Sequence, residues 1–176
     1  PGFINMLSWA NESLIHDGRS QSEIRQGVTL EVMGENVSMG PLTDAMKSTE
    51  PGAYMDQSDI RYPVEWTTLG EYLEWLEKRG VSPNITSFVG SATVRIHEIG
   101  YDNRPPTPEE LARMTDLVRQ AMREGAVGLS SALIYPPAAY QQFDELLALA
   151  RAAGEYGGMY ISHVRSEGSA IEEAVE

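Results

Sequence analysis

The chain has 176 residues, of which 41% are hydrophobic and 22% are charged, a composition typical of a globular protein with one hydrophobic core. Its 26 Asp and Glu outnumber 13 Lys and Arg, and the formal charge of -13 opposes binding to nucleic acid and to anionic membrane surfaces. No apolar run reaches the roughly 20 residues of a membrane span, and without cysteine any metal site has to use histidine and carboxylate ligands.

Strand and helix patterns alternate from the start of the chain. An apolar run over 3–7 predicts the first strand, and a short helical turn ending at Gly27 leads into a second strand, VTLEVMG. The next segment, from Ser38 to Trp66, is rich in Gly, Pro, Asp and Ser and is too long for a simple connection. We expect this segment to be a functional loop or lid over the site.

The alternation continues through the rest of the chain. Leucines at helical spacing predict a helix over 68–80, and NITSFVG predicts the third strand. The clearest helix covers 107–125, with a Thr N-cap, Pro at the first helical position, Glu three residues after the cap and a final Gly. AVGLSSALIY predicts the fourth strand, 142–157 the next helix, and GMYISHV the fifth strand before a terminal helix. Alternating helices and apolar strands indicate an α/β fold with a parallel sheet covered by helices.

Two architectures satisfy this alternation. An open doubly wound sheet normally carries a glycine-rich phosphate turn after its first strand, whereas the corresponding turn here is LSWANES. A parallel (β/α)8 barrel is therefore favoured, and its active site lies at the C-terminal ends of the strands. His163 and Glu35 each come directly at or after the end of an apolar strand, which makes them candidate site residues.

Four sequence blocks carry a resemblance to a known family. PGFINMLSW, QGVTLEVMGE with SMGP, EGAVGLSSALIYPPAAY and GGMYISHVRSEG resemble successive blocks of the N-acyl-D-amino-acid deacylases, the D-aminoacylase branch of the amidohydrolase superfamily. The resemblance implies a zinc hydrolase with a TIM-like (β/α)8 barrel and a small β-domain. Because the chain opens directly on a strand and stops within a helical pattern, we expect residues 1–176 to be the N-terminal part of this barrel, truncated at both ends, with about its first five strands.

The resemblance assigns metal ligands unevenly. In the family, the first strand ends in a His-x-His pair that binds one of two possible metals, whereas the matching positions here are Leu7 and Trp9. A cysteine commonly follows the second strand, and here Glu35 is the candidate substitute, with Asn36 as a competitor for that position. His163 matches the zinc histidine of the fifth strand directly.

The same resemblance implies one zinc ion in the full-length protein. A catalytic zinc usually has three protein ligands and one open position for water, whose pKa it lowers to about 7. Glu35 and His163 supply two ligands, and a histidine from a sixth strand would supply the third. A bridging lysine is excluded within this segment, because the only lysines are Lys47 and Lys78, in a loop and a helix. No catalytic residue is expected within the chain, since the family places its general-base aspartate beyond Glu176.

The remaining polar candidates have less specific roles. Tyr135, at the exit of the fourth strand, is a candidate for hydrogen bonding to substrate, although packing against the barrel rim is an alternative. Arg165 and Glu167 are expected to form a supporting ion pair or to fix the loop. His97 could reach the mouth of the pocket, but we expect a loop histidine bonded to backbone. His16 is expected to be a surface residue.

These observations predict a zinc-dependent amide hydrolase that deacylates N-acyl-D-amino acids, small-molecule substrates, by metal-activated water. An alternative is a non-catalytic amidohydrolase-like barrel that binds a ligand or a partner, since Leu7 and Trp9 replace the histidine pair. A further alternative is that the segment alone is inactive. Substrate side chain, acyl group, stereochemistry, compartment and oligomeric state are not indicated by the sequence.

Overall fold

The computed structural model describes residues 1–48 and 62–175, which form an α/β structure. The strands are Phe3–Asn5 (β1), Val28–Met33 (β2), Asn84–Ser87 (β3), Val89–Gly90 (β4), Gly128–Ala132 (β5) and Met159–His163 (β6). The helices are Ser13–His16 (α1), Gln21–Ile24 (α2), Asp44–Ser48 (α3), Leu69–Arg79 (α4), Ser91–Glu98 (α5), Pro108–Arg123 (α6), Phe143–Gly154 (α7) and Ile171–Val175 (α8), with a 3-10 helix over Ala138–Tyr140.

All strand pairs of the described residues are parallel. One sheet has the order β1-β2-β3 and the other the order β4-β5-β6. Only Phe88 separates β3 from β4; its N–H donates to the Met33 carbonyl at 2.8 Å, and the Val127 N–H donates to the Ser87 carbonyl at 3.0 Å. The segment 84–90 therefore pairs with β2 on one side and with β5 on the other, which confirms the predicted α/β fold with parallel strands.

The five predicted strands all occur, with shorter bounds. The first ends at Asn5 rather than at residue 7, and the third is divided in two at Phe88. The predicted N-cap of the helix over 107–125 is confirmed, since Thr107 and Glu110 form a reciprocal capping box at the start of α6. Thr68 and Glu71 form a second capping box at the start of α4, which was not predicted.

Helix α5 was not predicted, and it corrects one expectation. His97 lies in this helix rather than in a loop, and its Nδ1 is 2.9 Å from Glu98 Oε1. The sequence SATVRIHE contains β-branched residues that lower helix propensity. Burial of its first five residues, Ser91 to Arg95, against the rest of the protein stabilises the helix instead.

The main hydrophobic core lies between the sheets and the helices. It includes Leu69, Tyr72 and Leu76 of α4, together with Val118 of α6 and Leu129 of β5. These α4 positions are separated by three and four residues, so they form one face of the helix. The helices thus cover one surface of the strands, and the strand ends remain available for the site.

The predicted lid from Ser38 to Trp66 is described only in part, since residues 49–61 lie outside the described residues. Both of its described ends are packed: the Ser38 N–H donates to Thr93 Oγ1 at 2.8 Å, and the buried Trp66 Nε1 donates to the Met39 carbonyl at 2.6 Å. Its covering role stays a prediction. Among the described residues, no helix has the length and apolar character that crossing a bilayer requires.

Candidate active site

Glu35 lies at the C-terminal end of β2, where the backbone turns sharply. Gly34 has φ of 88°, and a Cβ at this position would collide with the Phe88 carbonyl oxygen. The following residue, Asn36, is buried; its N–H donates to Ser130 Oγ at 3.0 Å, and its Oδ1 accepts from the Ala132 N–H at 3.1 Å. Asn36 therefore fastens the end of β2 to β5, while the Glu35 side chain, 10% exposed, lies beside His163.

His163 is the last residue of β6 and lies between two carboxylates. Its Nδ1 is 3.7 Å from Glu35 Oε1, and its Nε2 is 3.4 Å from Glu167 Oε1. The position is set by the parallel register that pairs His163 with Ala132, and the Leu133 N–H donates to the His163 carbonyl at 2.8 Å. Because Glu167 is 69% exposed at its side chain, the Glu35 face of the imidazole is the more enclosed one.

Tyr135, from the segment after β5, contacts the same imidazole. The two rings meet edge to face, with centroids 5.6 Å apart and planes at 72°. Tyr135 is 52% exposed. The structure therefore brings together all three predicted site residues, Glu35, Tyr135 and His163, from the ends of three different strands.

The ion pair predicted between Arg165 and Glu167 is replaced by other contacts. The Arg165 guanidinium donates through Nη1 to the Ala139 carbonyl at 3.1 Å and through Nη2 to the Gln141 carbonyl. Glu167 lies beside His163 instead. Arg165 thus has the other role that the sequence allowed, fixing a loop, because carbonyls 24 and 26 residues earlier in the chain reach its donors.

The end of β1 carries apolar side chains. Leu7 is 50% exposed and Trp9 is 45% exposed, while the Ser8 between them donates its N–H to the Val32 carbonyl at 2.9 Å. Neither exposed side chain can ligate a metal. Within residues 1–48 and 62–175, no group of three or more His, Asp or Glu side chains is placed to hold a metal ion. His16, at the end of α1, is exposed as predicted.

Sequence reasoning missed a buried network formed by Ser91, Arg95, Gln141 and Glu145. Arg95 Nη1 donates to Glu145 Oε2 at 2.7 Å, Gln141 Nε2 donates to Glu145 Oε1 at 2.9 Å, and Ser91 Oγ donates to Gln141 Oε1 at 2.7 Å. All four residues are at most 3% exposed. An arginine between the apolar Val94 and Ile96 was the one signal for it, since a fully buried arginine requires a counterion.

Comparison with known proteins gives matches along the whole chain, although no family model matches. D-aminoacylase from Alcaligenes xylosoxydans xylosoxydans is 33% identical over 177 residues, which is 100% of this chain and 36% of the relative. N-acyl-D-aspartate deacylase from the same organism is 28% identical over 181 residues, 100% of this chain and 35% of the relative. The chain thus spans about one third of the length of these curated relatives.

Solved structures that resemble the chain are also D-aminoacylases and related deacylases. The crystal structure of D-aminoacylase that defines a novel subset of amidohydrolases matches with a TM-score of 0.88 at 31% identity, over 99% of this chain and 36% of that one. A second D-aminoacylase structure, also at 0.88 and 30% identical with the same coverage, concerns a binuclear metal centre with one-metal activation and second-metal attenuation. N-acyl-D-glutamate deacylase from Bordetella bronchiseptica, complexed with zinc and a phosphonate inhibitor, matches at 0.83 and 29% identity over the same shares of both chains.

The parallel α/β fold and these similarities identify the chain as a homologue of the amidohydrolases. Within that superfamily, it is homologous to the N-acyl-D-amino-acid deacylases, the D-aminoacylase family. The resemblance predicted from the four sequence blocks is confirmed.

Proposed function

We propose that the complete protein is a zinc-dependent hydrolase that deacylates N-acyl-D-amino acids. The observation that carries this proposal is the approach of Glu35 Oε1 to His163 Nδ1, at 3.7 Å, where β2 and β6 end. The names of the relatives supply the substrate class, since they act on N-acyl-D-amino acids or are called D-aminoacylase. Residues 1–176 would then be the N-terminal part of the catalytic barrel, with its first five strands.

A contact between strands that are not neighbours supports the proposed barrel. Strands β2 and β5 do not pair with each other, because the segment 84–90 lies between them. Nevertheless Ser130 Oγ of β5 donates to the Gly34 carbonyl after β2 at 2.5 Å. The turn at Gly34 brings the chain after β2 over Gly90, where it reaches β5. This convergence of neighbouring strand ends supports the proposed barrel.

The donor pair fits one zinc ion. Zinc binds imidazole nitrogen at about 2.0–2.1 Å and carboxylate oxygen at about 2.0–2.2 Å, so two ligands of a tetrahedral ion are about 3.3–3.5 Å apart. The observed separation of 3.7 Å differs from this by a few tenths of an ångström, which side-chain rotation can close. Glu35 and His163 are therefore the proposed ligands, with the third to be supplied from outside residues 1–176.

The second imidazole nitrogen has a supporting partner. If Nδ1 faces the metal, then Nε2 carries the proton and faces Glu167 Oε1, 3.4 Å away. A carboxylate on the remaining N–H of a ligating histidine fixes its tautomer and raises its basicity. We assign this role to Glu167, in place of the ion pair with Arg165.

The chain's own residues would bind and orient the substrate. A bound zinc ion supplies a nucleophile from water near neutral pH and polarises the scissile carbonyl. The half-exposed Tyr135 can donate its phenolic O–H to a substrate group while its ring remains against His163. Proton transfer to the leaving amine requires an acid or base, which we place outside this chain.

We propose one zinc ion per chain. Leu7 and Trp9 cannot supply the ligands of a second metal, and β5 contains no lysine that could bridge two metals. One-metal activation, as stated for the related D-aminoacylase, would be sufficient for catalysis. A homologue that binds a ligand without catalysis is the alternative that the experiment has to exclude.

The test combines metal analysis with hydrolysis assays on the complete protein. We expect about one zinc per chain and release of the amine from N-acetyl-D-amino acids, with both lost in His163→Ala. Glu35→Gln should weaken zinc binding less, because an amide oxygen can still ligate without charge. Two tightly bound metals in the wild type, or unchanged turnover in His163→Ala, would refute the assignment. Bound zinc without turnover of any N-acyl-D-amino acid would favour the binding alternative.

A further inference from the structure

The segment that carries Tyr135 is fixed from two sides. Within the segment, the Ala139 N–H donates to the Tyr135 carbonyl at 2.9 Å, and the Gln141 N–H donates to the Ala138 carbonyl at 3.0 Å. These bonds connect Tyr135 rigidly to the 3-10 helix that follows it. Whatever holds this helix therefore also holds Tyr135.

The first attachment comes from the strand that carries His163. Arg165, two residues after His163, donates to the Ala139 and Gln141 carbonyls through its two Nη atoms. A guanidinium presents several donors in one rigid plane, so bonds to two carbonyls constrain both distance and orientation. The same residue thus connects the end of β6 with the segment of Tyr135.

The second attachment is the buried network. Gln141 is 0% exposed, and both ends of its side-chain amide are used: Oε1 accepts from Ser91 Oγ at 2.7 Å, and Nε2 donates to Glu145 Oε1 at 2.9 Å. Glu145 is in turn bonded to Arg95. Because a buried polar group without partners is costly, Gln141 has little freedom to move.

From these contacts we infer that Arg165 is a positioning residue: together with the buried network it holds the segment 135–141 so that the Tyr135 ring stays against His163. The kinetic part of this inference rests on the proposed function, because Tyr135 is the proposed substrate contact. The structural part does not, since it concerns only the order of the segment.

Amide hydrogen exchange tests the structural part. In the complete protein, Arg165→Ala should exchange the amides of residues 138–141 about tenfold faster than the wild type, since local opening controls exchange. Arg165→Lys, which keeps charge and donors, should lie between the two. Arg25→Ala is the matched control, because its exposed guanidinium contacts Gln21 within α2. Exchange that is unchanged in Arg165→Ala would overturn the inference.

Steady-state kinetics on an N-acetyl-D-amino acid test the kinetic part. Loss of the positioned Tyr135 hydrogen bond should weaken substrate binding, so we expect KM to rise by up to about tenfold in Arg165→Ala with zinc content unchanged. If Arg165 acts through Tyr135, the double variant with Tyr135→Ala should be no worse than Tyr135→Ala alone. If the effects of Arg165→Ala and Tyr135→Ala on KM multiplied in the double variant, the inference would be overturned. A wild type without deacylase activity would refute the proposed function, and the exchange result would still decide the positioning role.

Discussion

The buried ion pair between Arg95 and Glu145 provides the sharpest stability prediction. The two side chains are 0% and 2% exposed, and Nη1 lies 2.7 Å from Oε2. Glu145→Ala would leave the Arg95 charge buried without its counterion, which costs about 3–5 kcal/mol in proteins. It would also leave Gln141 Nε2 without its acceptor, for which about 1–3 kcal/mol is typical.

Two remaining contacts limit the loss. Arg95 Nη2 also donates to the Asp102 and Arg104 carbonyls, at 2.9 and 2.6 Å, and these bonds do not depend on Glu145. We therefore expect the free energy of unfolding of Glu145→Ala to fall by about 4 kcal/mol, near the middle of the range for a broken buried pair. Glu145→Gln, which keeps the shape and one acceptor, should lose about half as much.

Urea unfolding of the complete protein, followed by circular dichroism, measures these differences. The matched control is Glu155→Ala, because Glu155 pairs with Arg119 at the same distance of 2.7 Å but with side chains 50% and 32% exposed. A surface pair of this kind is worth at most about 1 kcal/mol. If Glu145→Ala and Glu155→Ala lost equal stability, burial of the pair would not be what makes it important, and the reasoning would be refuted.

Three further predictions concern the start of α6, the end of β2 and the 176-residue chain expressed by itself. The hydrogen bond from Arg104 lowers the pKa of Glu110 from 4.5 to about 2. The ionised Glu110 therefore stabilises the folded protein above pH 4.5, and this stabilisation is lost as the pH falls toward 2. NMR titration should show that Arg104→Ala raises the pKa of Glu110. Gly34→Ala should destabilise the fold by about 2 kcal/mol or more in urea unfolding and reduce zinc binding, because φ is positive and a Cβ meets the Phe88 carbonyl; an unchanged unfolding midpoint would contradict this. The 176-residue chain expressed alone should aggregate or unfold without cooperativity in light scattering and calorimetry, since large side chains of β1 and β6 are exposed; a monodisperse monomer with a sharp transition would be the opposite result.

Elements with local signals were predictable from the sequence. Helix α6 has its N-cap Thr107, Pro108 and Glu110 within four residues, and the structure forms every bond that this pattern implies. The strands were predictable because parallel strands between helices are apolar along their length. Their ends were less certain: β1 ends at Asn5, although Ser8 still bonds to β2 through its N–H, to the Val32 carbonyl, and through its hydroxyl, to Glu31.

Helix α5 could not be predicted, because its stability depends on distant residues. The Ala92 N–H of this helix donates to the Asn36 carbonyl, and Arg95 pairs with Glu145, 50 residues later in the chain. Neither partner is near in sequence. Local propensity therefore gave no indication of a helix, although tertiary contacts make one.

The candidate site was predictable where it depends on strand ends and not where it depends on loops. His163 and Glu35 were identified because parallel strands bring their C-terminal ends to one edge of a sheet. The partners of Arg165 and Glu167 were not, since a side chain in a loop can contact any segment that the fold brings near. Here those segments are the carbonyls after Tyr135 and the imidazole of His163.

The contacts around Glu35 also indicate how the proposed metal site could be held without first-strand histidines. The end of β2 is held by β5, through Ser130 and Asn36, and His163 is held by its pairing with β5. None of these bonds involves the residues that follow β1. Leu7 and Trp9, at the positions of the family's first-strand ligands, therefore leave these supports of Glu35 and His163 in place. The proposed zinc ion could therefore be held by Glu35 and His163 although Leu7 and Trp9 supply no ligands to a second metal.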